Sequence, residues 1–154
     1  FSECVNIVPN ARLLLVGDGE GRTQIQEKAK SLGLEEKVIF TGVRNDVADL
    51  LQAMDVFVLP SLYEGVPVTM IEAQASGLPC VISDGVPKDC VITSGLVTSM
   101  KLSDRPCDWA KHIAAQLNRK RENHLEEIQA AGYDIVTAAK ELENFYLKKY
   151  GEES

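Results

Sequence analysis

Three stretches of the chain are apolar at every position: Leu13-Leu14-Leu15-Val16, Val56-Phe57-Val58-Leu59 and Pro79-Cys80-Val81-Ile82. A strand with one face in water alternates apolar and polar residues. A strand that is apolar throughout needs cover on both faces, as helices give it in a parallel α/β sheet. Helical patterns alternate with these runs as that arrangement requires. Ala11–Val16 reads as a strand, and Gly21–Leu34 as a helix with Ile25, Ala29 and Leu32 on one side and Gly33 at its end. Lys37–Thr41 reads as a second strand, and Asp46–Met54 as a helix with Asn45 as its N-cap. Asp55–Leu59 is a third strand. Pro67–Ser76 is a helix with proline at its first position and Gly77 beyond its end. Leu78–Ser83 is a fourth strand and Gly95–Met100 a weaker fifth. The strand-and-helix core thus occupies about residues 10–100. From Ser103 onward the β signal is lost, and residues of about 103–150 carry helical spacing only. The reading is one α/β domain, a Rossmann-like doubly wound parallel sheet followed by C-terminal helices, over residues 1–154.

The composition agrees and removes several classes of function. With 154 residues, 45% hydrophobic and 25% charged, the chain is of ordinary globular make-up. Sixteen basic residues against 23 acidic ones leave a net charge of −7. That balance argues against nucleic-acid binding and against a polybasic membrane surface. No apolar run approaches the roughly 20 residues that span a bilayer. Phe1-Ser2-Glu3-Cys4 lacks the pattern of a secretory leader, and the missing methionine suggests a start within a larger gene product. Cys4, Cys80, Cys90 and Cys107 show no Cys-x-x-Cys spacing, so four free thiols in a reducing cytoplasm are expected. His112 and His124 have no neighbours at ligand spacing and are expected at the surface or its boundary.

Doubly wound sheets bind ligands beyond the carboxyl ends of their strands. That directs attention to residues 17–21, 42–45, 60–67 and 84–90. The third of these loops, Pro60-Ser61-Leu62-Tyr63-Glu64-Gly65-Val66-Pro67, is the richest, and it enters a helix. A helix start offers unpaired N–H groups and a positive dipole end to an anion. Gly65 permits close approach, and because Pro67 has no N–H the available amides are those of Val66, Val68 and Thr69. Glu64 stands at the mouth. Glu72 lies about five residues into the helix, about 7.5 Å from its start at 1.5 Å per residue, on one face with Thr69 and Ser76. A carboxylate repels a phosphate, so its natural work here is to accept hydrogen bonds from hydroxyls. A nucleotide sugar carries hydroxyls on both sides of its diphosphate. From spacing alone, the alternative stands that Glu64 is an ordinary loop acid and Glu72 a solvated helix residue.

The run from Leu59 to Gly65, together with Ile71-Glu72-Ala73-Gln74-Ala75-Ser76-Gly77-Leu78-Pro79-Cys80-Val81, resembles the signature of the group 1 glycosyltransferases. Leu14-Leu15-Val16-Gly17-Asp18-Gly19 and Val38-Ile39-Phe40-Thr41-Gly42 resemble the same family in order and spacing, so the likeness covers about residues 10–100. These are retaining, nucleotide-sugar-dependent enzymes built from two Rossmann-like domains, the GT-B architecture. The resemblance implies that this chain is the C-terminal, donor-binding half. It implies that Glu64 contacts the transferred sugar and counts as the catalytic candidate, and that Glu72 holds the ribose. The amides after Glu64, with Gly65, Val66, Val68 and Thr69 as candidates, would meet the distal phosphate, and the loop at Val43, Arg44 and Asn45 would lie near the base, with Arg44 as a base or phosphate contact or, alternatively, a surface arginine at the helix start. Gly17 is a weaker candidate for a phosphate contact, as are Lys88 and Asp89 for the donor. Two departures stand out: Val66-Pro67 follows Gly65 where many relatives have Phe-Gly, and the glycine pair after the fourth strand is reduced to Gly85-Val86-Pro87-Lys88-Asp89.

The same resemblance implies absences. The family's Gly-Arg and Lys-Gly, on and after a first strand, do not occur before Ala11. That strand would lie between 11–16 and 55–59, so these two are expected either to pair directly or to have another chain between them. An N-terminal acceptor domain belongs to the full enzyme, and with it comes room for peripheral membrane association. The fragment alone should be inactive. No metal or other cofactor is expected, because backbone amides and cations stabilise the leaving nucleotide. Sugar transfer with retention would follow an internal-return route rather than attack by Glu64, in cytoplasmic synthesis of a bacterial polysaccharide. A nucleotide-binding or interaction module without catalysis is the alternative, and a sugar-nucleotide epimerase is a further one that the spacing of the glutamates disfavours.

Overall fold

The protein is described here by a computed structural model covering residues 1–151. The elements follow in the order α1 (Ser2–Ile7), β1 (Leu13–Val16), α2 (Arg22–Ser31), β2 (Val38–Gly42), α3 (Val47–Ala53) and β3 (Phe57–Leu59). They continue with α4 (Val68–Ala75), β4 (Cys80–Ser83), β5 (Val97–Met100), α5 (Pro106–Ala114), α6 (Leu125–Ala130) and α7 (Ile135–Gly151). All five expected strands are present: β1, β3, β4 and β5 are shorter than expected, β2 is shifted by one residue, and all ladders are parallel. The architecture is the expected Rossmann-like α/β one.

Helix ends obey local chemistry. At the end of α4, Gly77 takes φ +65°, its N–H donates to Gln74 O and the N–H of Leu78 donates to Ala73 O, the paired bonds of a left-handed cap. Gly33 does the same work after α2, with φ +67° and Leu34 N–H on Ala29 O. The start of α3 differs from expectation. Its N-cap is Asp46, not Asn45, and the Asp46 side chain makes no capping bond. The reason is local: Arg44 holds both carboxylate oxygens of Asp46.

The ladders form two groups, β1–β2 and β3–β4–β5. Leu13 pairs with Val38 in the first, while Phe57 pairs with Cys80 and Cys80 with Val97 in the second. No ladder joins β1 to β3, so of the two expected arrangements, direct pairing or a strand of another chain between them, the direct pairing does not occur. Each therefore keeps one unpaired edge. Burial follows from this. Every residue of β4, paired on both sides, is buried, whereas β3 is half-buried and β1 half-buried with Val16 exposed.

The core accordingly gathers around β4. Met70, Ile71, Ala73 and Gln74 of α4 meet Leu78, Cys80, Ile82, Val86 and Cys90, with Leu51 from α3 and Ile128 from α6 closing it. Arg121, between α5 and α6, reaches into the ends of two helices. Its guanidinium donates to Leu51 O (2.9 Å) and Met54 O at the end of α3, and to Ser76 O (3.2 Å) at the end of α4. α1 packs on α5. Residues 135–150 of α7 are exposed throughout, including Leu142, Phe145 and Tyr146. Among the described residues no helix is long and apolar enough to cross a membrane.

Candidate functional site: the mouth of α4

The loop from β3 to α4 is pinned at several points. Ser61 Oγ donates to Glu64 Oε1 at 2.6 Å, which fixes the carboxylate inside its own loop. The Glu64 N–H donates to Gly85 O at 3.2 Å. The buried Ser83 hydroxyl donates to Ser61 O. A Cβ placed on Gly85 would stand 2.4 Å from Leu62 O and 2.7 Å from Ser61 O, so only glycine allows this approach. The segment after β4 is thus the bed on which the loop rests. Leu62 and Tyr63 project from the loop, 88% and 84% exposed.

At the helix mouth, Pro67 is the N-cap, with no side-chain cap bond, and its carbonyl accepts the N–H of Met70 at 2.9 Å. The amides of Val66, Val68 and Thr69 make no hydrogen bond among the described residues, and all three residues are exposed. They are free to meet an anion, as the sequence predicts. Glu64 is half-buried at one side of this mouth, and Glu72 is exposed on the second turn of α4, where its carbonyl accepts Ser76 Oγ at 2.9 Å. Gly65 is exposed between them. The surface is open rather than enclosed.

The other candidates fare differently. Gly17 takes φ +121° and its N–H donates to Gly42 O at 2.8 Å, while the N–H of Gly19 donates to Asp18 Oδ1 at 2.8 Å. The amides of Gly17 and Gly19 are thus engaged internally. Val43 is 79% exposed after β2. Arg44 is bound through Nε to Asp46 Oδ1 at 2.7 Å and through Nη2 to the other oxygen. This pairing holds the Asp46 carboxyl below its ordinary range and raises the guanidinium. Arg44 therefore meets any anion as half of an ion pair. Lys88 and Asp89 are exposed in the 3-10 turn Lys88–Cys90. The Cys90 thiol is pushed up by burial first, then by the carboxylates of Asp89 and Glu64, and its Sγ lies 3.9 Å from Gly65 O.

Sequence reasoning passed over Ser61, Gly85, Asp46 and Gln74. The Ser61-x-x-Glu64 spacing, a hydroxyl three residues before a carboxylate, was a usable signal for the first. All four cysteines are free. His124 has a carboxylate partner after all: Nδ1 lies 2.9 Å from Glu127 Oε1, three residues on, where a helical turn brings them together. Among the described residues no group of three or more His, Cys, Asp or Glu side chains is placed to hold a metal ion.

Parallel strands, a fully buried β4 and an amide-bearing helix mouth beyond the carboxyl end of β3 define a Rossmann-like α/β domain. The profile of the family described as Glycosyl transferases group 1 matches residues 2–119, and the chain belongs to that family. It is 42% identical over 138 residues to the "Putative glycosyltransferase EpsF" of Bacillus subtilis (strain 168), covering 88% of this chain and 36% of that one. Among solved structures it is similar to the sucrose-phosphate synthase of Thermosynechococcus elongatus, with TM-score 0.78 and 24% identity over 98% of this chain and 41% of that one. It is also similar to Anabaena HepE in complex with UDP-glucose, with TM-score 0.67 and 23% identity, covering 95% and 44%. The chain thus spans between 36% and 44% of the length of these relatives.

Proposed function

We propose that this chain is the donor-binding domain of a glycosyltransferase and that the mouth of α4 holds a nucleoside-diphosphate sugar. The observation that carries the reading is the set of three unengaged amides, Val66, Val68 and Thr69, between a carboxylate fixed by Ser61 and a second one on α4. The amides and the helix dipole meet the diphosphate. Glu72 accepts hydrogen bonds from the ribose hydroxyls, and Glu64 accepts them from the transferred sugar beside Gly65. Val43 and Arg44 flank the base. The Anabaena neighbour with UDP-glucose bound supports a uridine nucleotide as the first donor to try.

In the proposed chemistry the sugar leaves with retention at its anomeric carbon. The leaving diphosphate is stabilised by amides and by cations from outside these residues, without a metal. Glu64 then positions the sugar, and the departing phosphate guides the incoming hydroxyl. The acceptor site belongs to a separate domain, so residues 1–154 alone bind donor weakly and transfer nothing. The biological setting proposed is assembly of a bacterial polysaccharide in the cytoplasm.

Titration of the chain with UDP and UDP-glucose by calorimetry tests the reading. Glu72→Gln removes a charged acceptor of ribose hydroxyls, worth about 1.5–3 kcal/mol, and should weaken UDP by about tenfold or more. Glu64→Gln should weaken UDP-glucose while leaving UDP unchanged. Equal affinity for UDP in wild type and Glu72→Gln would sink the assignment.

A further inference from the structure

Gln74 is a carboxamide with no exposure, on the core face of α4 among Met70, Ile71 and Ala73. Its hydrogen-bonding capacity is fully used. Nε2 donates to Cys90 O at 2.8 Å and to Met70 O at 3.3 Å. Oε1 accepts from Ile92 N at 2.9 Å, Thr93 N at 3.1 Å and Thr93 Oγ1 at 3.0 Å. Burying an amide costs free energy unless it is satisfied, and an apolar side chain of the same size would fill this place without that demand. What the amide adds is position: it ties the segment 90–93 to one place along α4.

That segment continues the bed of the donor loop. Cys90 N–H closes on Pro87 O, Val86 N–H on Ser83 O, and Gly85 O accepts the N–H of Glu64. Cys90 Sγ faces Gly65 O. A path of hydrogen bonds and intervening backbone therefore runs from Gln74 to Cys90, from Cys90 to Pro87, along the chain to Gly85 and from its carbonyl to the N–H of Glu64. The amides of Val68 and Thr69 and the carboxylate of Glu72 stand on the same helix as Gln74. We propose that Gln74 is a positioning residue, which references the Glu64 loop to α4 and so sets the spacing between the two carboxylates of the site. For its function the proposal rests on the donor-site reading above, whereas its geometry does not depend on that reading.

Two variants and two measurements test it. Gln74→Met keeps the volume and removes every bond. Gln74→Glu keeps the oxygen facing Ile92 and Thr93 and loses the donor to Cys90. Amide hydrogen exchange at Glu64 is compared with that at Val81 and Ile82 in β4, and UDP-glucose is titrated well below the unfolding temperature of each variant. In Gln74→Met, exchange at Glu64 should rise about tenfold relative to β4 and the UDP-glucose Kd should rise about tenfold, the effect of roughly one hydrogen bond. Gln74→Glu should protect Ile92 and Thr93 yet still release Glu64, and it provides the measurement if the methionine variant fails to fold. Unchanged exchange at Glu64, or loss of protection by one common factor at Glu64 and β4, would overturn the proposal as mere destabilisation. If wild type binds no UDP-glucose while Glu64 still responds to Gln74, the donor-site reading falls and the positioning role stands.

Discussion

Ser61 and Glu64 form a closed pair: the serine hydroxyl donates to the carboxylate at 2.6 Å while the backbone of the same glutamate donates to Gly85. Side chain and main chain of Glu64 are both held before any ligand arrives. Ser61→Ala frees the carboxylate to rotate, and a ligand must then order it. The expected loss in UDP-glucose affinity is about 1 kcal/mol, roughly fivefold. Calorimetry on the two proteins checks this, with UDP as the control ligand that should show no change.

Gly85→Ala would act on the same loop from below. The new methyl group would stand 2.4 Å from Leu62 O, and backbone on both sides of the seam has little room to yield. The seam should open at a cost of about 1–3 kcal/mol. Urea unfolding should show the lower midpoint, and exchange at Glu64 should rise as its bond to Gly85 O is lost.

Arg121→Ala should be costly although the side chain lies far from the site in sequence. Leu51, Met54 and Ser76 would each lose a charged donor for a carbonyl at a helix end, where unpaired carbonyls gather. The expected destabilisation is about 2–3 kcal/mol. Arg121→Lys should recover only part of it, because one ammonium cannot span carbonyls from two helices as the planar guanidinium does. Denaturant curves of the three proteins decide the matter.

The thiol of Cys80, buried in β4, is pushed up to about 12 by burial. In the unfolded chain a cysteine ionises near about 8.5. Between those values the unfolded chain gives up a proton that the folded one retains, so stability falls as pH rises. The contribution is whole below the lower value and disappears as the higher one is passed. Cys80→Val should show a flatter decline between about pH 8.5 and 12 than wild type. Thiol-reactive reagent at neutral pH should label the half-buried Cys4 and Cys107 and spare Cys80.

Much of this fold was legible because its determinants are local. Pro67 at the start of α4, and Gly33 and Gly77 beyond the ends of α2 and α4, mark places where backbone chemistry allows few alternatives. The amides of Val66, Val68 and Thr69 were legible for the same reason. What escaped notice depends on partners distant in the chain. Gln74 looks like a polar residue on a helix until Cys90 and Thr93 are brought to it, sixteen and nineteen positions away. Gly85 is one glycine among eleven until Leu62 is set against it. Asp46 is the exception: it lies only two residues from Arg44, and its grip on the guanidinium was overlooked. The break between β1 and β3 is a property of pairing, which apolar runs do not encode.

That break divides the molecule into regions of unequal cohesion. β4 has a neighbour on either side and the whole core around it, while β1 and β2 have each other and little buried beyond Ala29 and Leu34. Two-stranded sheets are marginal in water. Opening should therefore proceed by stages, with the amino-terminal ladder exchanging its protons early and β4 surrendering them only when everything gives way. The mouth of α4 lies on the durable side of that divide, so the first third of the chain, with Val43 and Arg44, can breathe while the amides and carboxylates at the mouth keep their shape.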